Sequence, residues 1–136
     1  MTYAFAADLQ ASIFQTLRSD PALQGQIGEA VYDVVPAGQL PSTYVSLGPE
    51  DVRDWSDKTG RGARHDFTIS VVTDAAGFQT AKLVAGAVAD ALTMNAGELA
   101  RGKLVSLTFR RARATRVEDG NMRRIDLSFR AFVADE

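Results

Sequence analysis

The stretch LVSLTFRRARATRV (104–117), EDGN (118–121), MRRIDLSFRAFVA (122–134) sets two long β-rich runs on either side of Asp119-Gly120. Asp-Gly suits a tight turn because such a turn needs positive φ, so the stretch predicts a terminal β-hairpin. In the second run Ile125, Leu127, Phe129, Ala131 and Val133 share one face. In the first, Val105, Leu107 and Phe109 share a face. A two-residue loop pairs Ala114 with Ile125, Arg113 with Asp126 and Ala112 with Leu127. Carried further it sets Phe109 against Arg130, with the two apolar faces on opposite sides of the sheet. One extra residue in the first strand repairs the match and pairs Phe109 with Phe129. A β-bulge is therefore expected between about Arg110 and Arg113. A three-residue loop also aligns the two phenylalanines, but it sets Arg113 on the Ile125 face.

Working outward, His65–Thr73 is the clearest remaining strand. Phe67, Ile69 and Val71 point one way, and Asp66, Thr68 and Ser70 the other, toward water or a partner. A helix is predicted from about Ala75 to Thr93, with Phe78, Ala81, Ala85, Val88 and Leu92 at helical spacing. Asp74 is its expected N-cap and Asn95-Ala96-Gly97 its stop. Near the start, Phe5, Leu9, Ile13 and Leu17 form one apolar stripe of a first helix. Pro21 ends that helix by disfavouring α geometry at Asp20, and Asp20-Pro21 opens a short second one. Between lie Val31–Val35, a β-rich run closed by Pro36-Ala37-Gly38, and Thr43–Leu47, bounded by Pro41 and Gly48-Pro49. Val52–Ser56 alternates weakly and extends the sheet at an edge, and Asp57–Gly62 has the composition of a loop. The expected architecture is a single α+β domain over residues 1–136. Two main helices pack on one face of a mainly antiparallel sheet of four to six strands, in the order α-β-β-(β)-β-α-β-β.

Composition narrows the function. The chain has 136 residues, 46% apolar and 24% charged, and no cysteine. A disulfide scaffold, a thiolate nucleophile and a cysteine-based zinc site are excluded. No apolar run approaches the ~20 residues a membrane helix needs, and the N-terminus lacks the basic and apolar regions of a signal peptide. Net charge is −2, unevenly spread: residues 1–100 hold six Lys/Arg against twelve Asp/Glu, and residues 101–136 nine against five. Such asymmetry marks a nucleic-acid surface, complementary faces that meet in an oligomer, or two solvated faces.

Catalytic and metal chemistry find little to work with. His65 is the sole histidine, and its neighbour Asp66 points to the opposite face of the strand, so the two do not make a relay. Glu50, Asp51, Asp54 and Asp57 lack the spaced ligands and central glycine of a calcium loop and read as a solvated loop. Gly60-Arg61-Gly62 is too short to cradle phosphate and no Lys-Ser/Thr follows. No catalytic, cofactor or metal residue is expected. Arg110, Arg111, Arg113 and Arg116 on one strand, with Arg123, Arg124 and Arg130 on its partner, could contact phosphates. Without interleaved aromatics they fit salt bridges across a subunit interface better. Trp55, among Arg53, Asp54, Asp57 and Lys58, reads as an interface anchor or as a cover for the sheet edge, with the anchor favoured.

Four blocks together resemble the tail-terminator (tail-completion) family of long-tailed phages and gene transfer agents, and most nearly its gene-transfer-agent members. They are Val31–Gly38 with Pro41; Tyr44–Gly48 with Asp54-Trp55-Ser56 and the Lys58-Thr59-Gly60-x-Gly62 loop; His65-x-Phe67-Thr68-Ile69-Ser70-Val71 with Gly77 and Ala91-Leu92; and the end hairpin with Asp119-Gly120 and Leu127–Ala131. The resemblance implies a structural particle protein assembled in the bacterial cytoplasm, not an enzyme and not a membrane protein. It implies a homo-hexameric ring on the head-proximal end of the tail tube, touching the major tail tube protein and the head–tail connector. DNA passes through the ring without being read. Arg53, Asp54, Trp55, Asp57, Lys58, Arg61, Arg64, Arg110, Arg111 and Arg113 are the expected subunit or tube contacts, and the Asp57–Gly62 loop is expected to order on docking. The competing reading is a small-ligand or regulatory α+β module.

Overall fold

A computed structural model describes residues 2–58, 60–95, 99–117 and 120–135. A 3-10 turn (Thr2–Phe5) leads into α1 (Ala6–Ser19), then α2 (Pro21–Ile27), β1 (Val31–Tyr32), β2 (Thr43–Asp54), β3 (Gly62–Thr73), α3 (Gln79–Asn95), β4 (Lys103–Val117) and β5 (Met122–Ala134). The five strands form one sheet in the order β1-β2-β3-β5-β4. All neighbours are antiparallel except β1, which runs parallel to β2 through Val31–Val45 and Tyr32–Ser46.

The helices cover one face. Leu9, Ile13 and Leu17 of α1 are buried, as is Phe5 just ahead of it. With Ala81, Val84, Ala85, Val88, Ala91 and Leu92 of α3 they enclose Val45, Phe67, Ile69, Val71, Ile125, Leu127, Phe129, Ala131 and Val133 of the sheet. The alanines keep α3 slim, which brings its axis close to the strands. Asp20 caps α2 as expected, its carboxylate accepting the Leu23 N–H at 3.0 Å with Pro21 in the first turn.

The hairpin carries the expected bulge. Ala114 pairs with Ile125, Arg113 with Asp126, Ala112 with Leu127 and Arg111 with Ser128; the ladder then skips Arg110 and resumes with Phe109 opposite Phe129. The two rings meet edge to face at 5.9 Å, and Phe129 stacks on Phe67 at 5.5 Å. A second irregularity falls between Leu104 and Ser106. It leaves Val105, expected to share the face of Leu107 and Phe109, as the unpaired residue, half exposed at 50%, while Leu104 takes the core-side position. Asp119 lies outside the described residues; Gly120 has φ 87°.

Four expectations need correction. The run Val31–Val35 pairs only at its first two residues, and Val34 is 81% exposed. Val52–Asp54 is not a separate segment but the end of a single long β2, which absorbs Gly48-Pro49 as an irregularity between Leu47 and Glu50. Glu50, Asp51 and Asp54 thus stand on a strand and not in a solvated loop. Helix α3 starts at Gln79, so Asp74 is not its N-cap. The Asp74 N–H goes instead to the Ser42 carbonyl, and Gly77 at φ 75° holds the chain out of helix until Phe78, whose carbonyl accepts the Lys82 N–H. Ala96 and Gly97 of the expected stop lie outside the described residues.

Candidate interface surfaces

Because side chains alternate along each strand, the register fixes what stands on the face away from the helices. Across it run Arg53 beside Arg64 and Phe132; Asp51 beside Asp66, Arg130 and Thr108; Thr68 beside Ser128 and Arg111; Ser70 beside Asp126 and Arg113; and Val72 beside Arg124 and Thr115. The alternation seen in the sequence of β3 therefore holds up to its end, where Tyr44 and Val72 on this polar face are buried with Ala30 and packed by Ile27, Tyr32, Leu40 and Met122.

Its charges form clusters rather than a uniform field. Arg130 donates from Nε to Asp66 at 2.8 Å and from Nη2 at 3.4 Å, and Arg64 reaches the same carboxylate at 3.3 Å. The Arg130 hydrogen bond holds the Asp66 carboxyl below its ordinary range against the opposing pull of burial, with the charges of Arg130, Arg64 and Arg110 adding to it. One row on, Asp126 accepts from the Ser70 hydroxyl at 2.6 Å and from Arg124 Nε at 2.8 Å, while Arg124 Nη2 donates to Ser70 at 3.1 Å. Burial pushes the Asp126 carboxyl up, but Ser70, Arg124 and the nearby charge of Arg113 outweigh it and the carboxyl is held down. Ser70 is fully buried, so this network is anchored in the sheet. Both clusters join residues more than fifty apart in sequence, beyond the reach of local pattern reading.

The expected contact residues fall into two groups at opposite margins of the sheet. Arg53, Asp54, Trp55, Asp57, Lys58 and Arg61 belong to the end of β2 and its turn into β3, and Arg64 to the first residues of β3. Trp55 is 47% exposed and lies against Phe132 with centroids 4.5 Å apart, so it both covers the end of β5 and presents a surface. Arg53 pairs with Asp51 at 3.3 Å, and Asp54 accepts from the Ser56 hydroxyl at 2.8 Å. The turn is tied by its own bonds: the Asp57 N–H to the Gly60 carbonyl, the Gly60 N–H to the Asp57 carboxylate, and the Trp55 N–H to the Gly62 carbonyl, each at 2.9 Å. Lys58 and Arg61 are exposed beside it.

The second group, Arg110, Arg111 and Arg113, lies on β4, an exposed edge strand. Among the described residues these three and Arg116 make no ion pair within 4.0 Å, though Arg110 and Arg113 act at longer range on Asp66 and Asp126. With Ser128, Arg130, Asp66 and Thr68, the side chains of Arg110 and Arg111 rim an open pocket on the polar face. Arg123 turns away, donating to the Ala75 carbonyl at 3.2 Å and lying over the Phe78 ring.

His65 is fully buried on the helix side, opposite in direction to Asp66, with Nδ1 3.2 Å from a Glu50 carboxylate oxygen. It thus ties β3 to the adjacent strand β2. Among the described residues no group of three His, Cys, Asp or Glu side chains is placed to hold a metal ion, and no helix is long and apolar enough to cross a membrane.

The chain is thus a one-sided α+β fold with charged side chains on the other face and the margins of its sheet. Residues 11–134 match the model of the family described as tail completion protein gp17, and the chain belongs to that family. A chain in a solved structure described as the virion of a native gene transfer agent (GTA) particle is 62% identical, with a TM-score of 0.92 over 98% of this chain and 99% of that one. No curated protein matches. The family is structural and not enzymatic, so this is a structural tail protein, as the resemblance of the four sequence blocks implied.

Proposed function

We propose that six copies form a ring that caps the head-proximal end of the tail tube of a gene-transfer-agent-type particle. The ring ends addition of the major tail tube protein and offers its other side to the head–tail connector, with DNA passing through the hole. Assembly precedes release of the particle and takes place in the cytoplasm.

The observation that carries the reading is the separation of charge across one sheet. β2 carries Glu50, Asp51 and Asp54 against Arg53, and its turn mixes Asp57 with Lys58 and Arg61, while every charge on β4, Arg110, Arg111, Arg113 and Arg116 among them, is positive. A closed ring joins unlike patches of successive subunits, and such a molecule supplies both halves of the contact. The turn 57–62, with Trp55 at its base, is the proposed tube contact, and slower amide exchange there on docking is the expected sign.

Electron microscopy of particles from the source strain lacking this gene tests the function. Overlong headless tails beside filled tailless heads are expected; normal joined particles would overturn it. Native mass of the purified chain adds a second reading, a hexamer supporting the ring and a dimer opposing it.

A further inference from the structure

We propose that neighbouring copies of this chain join by strand addition: the outer edge of β4 in one copy pairs antiparallel with the bare outer edge of β2 in the next, and the sheet continues from subunit to subunit. The proposal rests on the ring reading above and assigns its interface.

Both edges are open. β1 covers β2 only at Val45 and Ser46, so from Leu47 to Asp54 the strand has no outer neighbour among the described residues. On the far side β4 borders β5 alone along the 15 residues from Lys103 to Val117. An open edge is a row of unpaired N–H and C=O groups, and proteins normally shorten, charge or cover it. Here β4 is long and its charges are all of one sign, which repels another β4 but suits an acidic strand.

Direction agrees. β2, β3, β5 and β4 alternate in sense, so β4 runs opposite to β2 within one copy. Rotation about an axis roughly along the strands preserves those senses, and β4 of one copy meets β2 of the next as an antiparallel pair. The contact is head-to-tail, as ring closure demands.

Register then follows from faces and charges. A continuous sheet must keep polar face with polar face, which allows only shifts of two residues. One such register sets Arg111 opposite Asp51, Phe109 opposite Val52 and Thr108 opposite Arg53. It makes an ion pair across the strands and covers Phe109, which is 47% exposed at the edge of its own subunit. Sliding two residues one way puts Arg111 against Arg53 and Phe109 against Asp54. Sliding the other way puts Phe109 against Glu50. The first sets like charges together, the second sets Arg111 against Pro49, and both lose the Arg111–Asp51 pair.

The test uses particles from the source strain. The native chain has no cysteine, so any disulfide reports only introduced ones. Two double variants are made, Thr108→Cys with Arg53→Cys and Phe109→Cys with Val52→Cys. Adjacent cross-strand pairs alternate between wide and close spacing, and one of the two should approach the ~4.5 Å Cα separation that a disulfide accepts. The expected result is a ladder of covalent multimers on a non-reducing gel from at least one double variant, lost with reductant, and monomer from each single variant. Joined particles that give monomer from both double variants overturn the edge contact and leave the ring reading standing. Normal particles without the gene overturn the ring reading itself. Should the cysteine variants not assemble, charge exchange decides: Arg111→Asp is expected to cut joined particles at least tenfold and added Asp51→Arg to restore them. No restoration overturns the proposal.

Discussion

The skipped residue in β4 has a measurable energetic signature. If Arg110 is the extra residue, Phe109 and Phe129 touch; in an unbulged ladder Phe109 would lie opposite Arg130 and the two rings would be on opposite faces. Phe129 is 1% exposed and sits between Phe67 and Phe109. Phe129→Ala empties a closed site and is expected to cost about 3–5 kcal/mol. Phe109 is about half exposed, so half of a full phenylalanine burial, about 1–1.5 kcal/mol, is its expected cost on truncation. The double variant should fall short of the sum by the pair term, about 0.5–1.5 kcal/mol for an edge-to-face contact. Unfolding of the free protein in urea measures all three. With an unfolding entropy near 2.1 cal/mol/K per residue, a loss of ~4 kcal/mol lowers Tm by about 14 °C for a chain of this length. Additive costs for Phe109 and Phe129, with coupling intact between Phe67 and Phe129, would refute the bulged register.

Four further outcomes follow from the same geometry. Asp66 and Asp126 both have depressed carboxyl pKa values, so their contribution is full above the unfolded value near ~4 and is lost as pH falls through the folded one. Asp66→Asn and Asp126→Asn should therefore lower stability at pH 7 and flatten its decline below pH ~4 in acid titrations followed by circular dichroism. A Cβ at Gly62 would lie 2.9 Å from the Val133 carbonyl oxygen and 3.0 Å from the Trp55 ring, so Gly62→Ala should cost about 1–3 kcal/mol and alter the emission of the only tryptophan. Asp20→Ala removes the cap on α2 and should cost about 1 kcal/mol in the same unfolding assay. Reversing the charges of Arg111 and Arg113 should leave the unfolding midpoint of the free chain within about 0.5 kcal/mol while abolishing ring assembly seen by native mass; unaltered assembly would count against the charged margins.

Much of the fold was legible because it is written in local periodicity. The fourfold spacing of Phe5, Leu9, Ile13 and Leu17 names the buried stripe of α1, and the conflict between the two apolar faces of the hairpin places a bulge between about Arg110 and Arg113, where the ladder skips Arg110. Misreadings arose where a distant partner took a group that local rules had claimed. Asp74 looks like a cap, but its backbone is tied to Ser42 beside the sheet and Gly77 delays the helix to Gln79, too far along for Asp74 to cap it. Val31–Val35 has strand composition, yet only two residues find a partner. Of the candidate contacts, the sequence marked the individual arginines and Trp55 but not which arginines are already satisfied. Arg130 and Arg124 are committed to Asp66 and Asp126, and those pairings depend on sheet order. The basic end of the chain stands apart from the acids of β2 only because β2 and β4 fall on opposite sides of the sheet, and at the β2 margin those acids are mixed with Arg53, Lys58, Arg61 and Arg64.

The two-residue β1 has a consequence out of proportion to its length. By occupying Val45 and Ser46 it acts as a doorstop on β2: an incoming strand can slide along the open half only until it meets Tyr32. A strand of 15 residues then engages a landing of about half its length: in the register above the Arg116 end of β4 reaches the stop, and Lys103–Ser106 extend beyond Asp54. Because the strands run roughly along the ring axis, such a stop would limit the axial stagger between subunits, and a ring closes instead of climbing into a helix only when that stagger is zero.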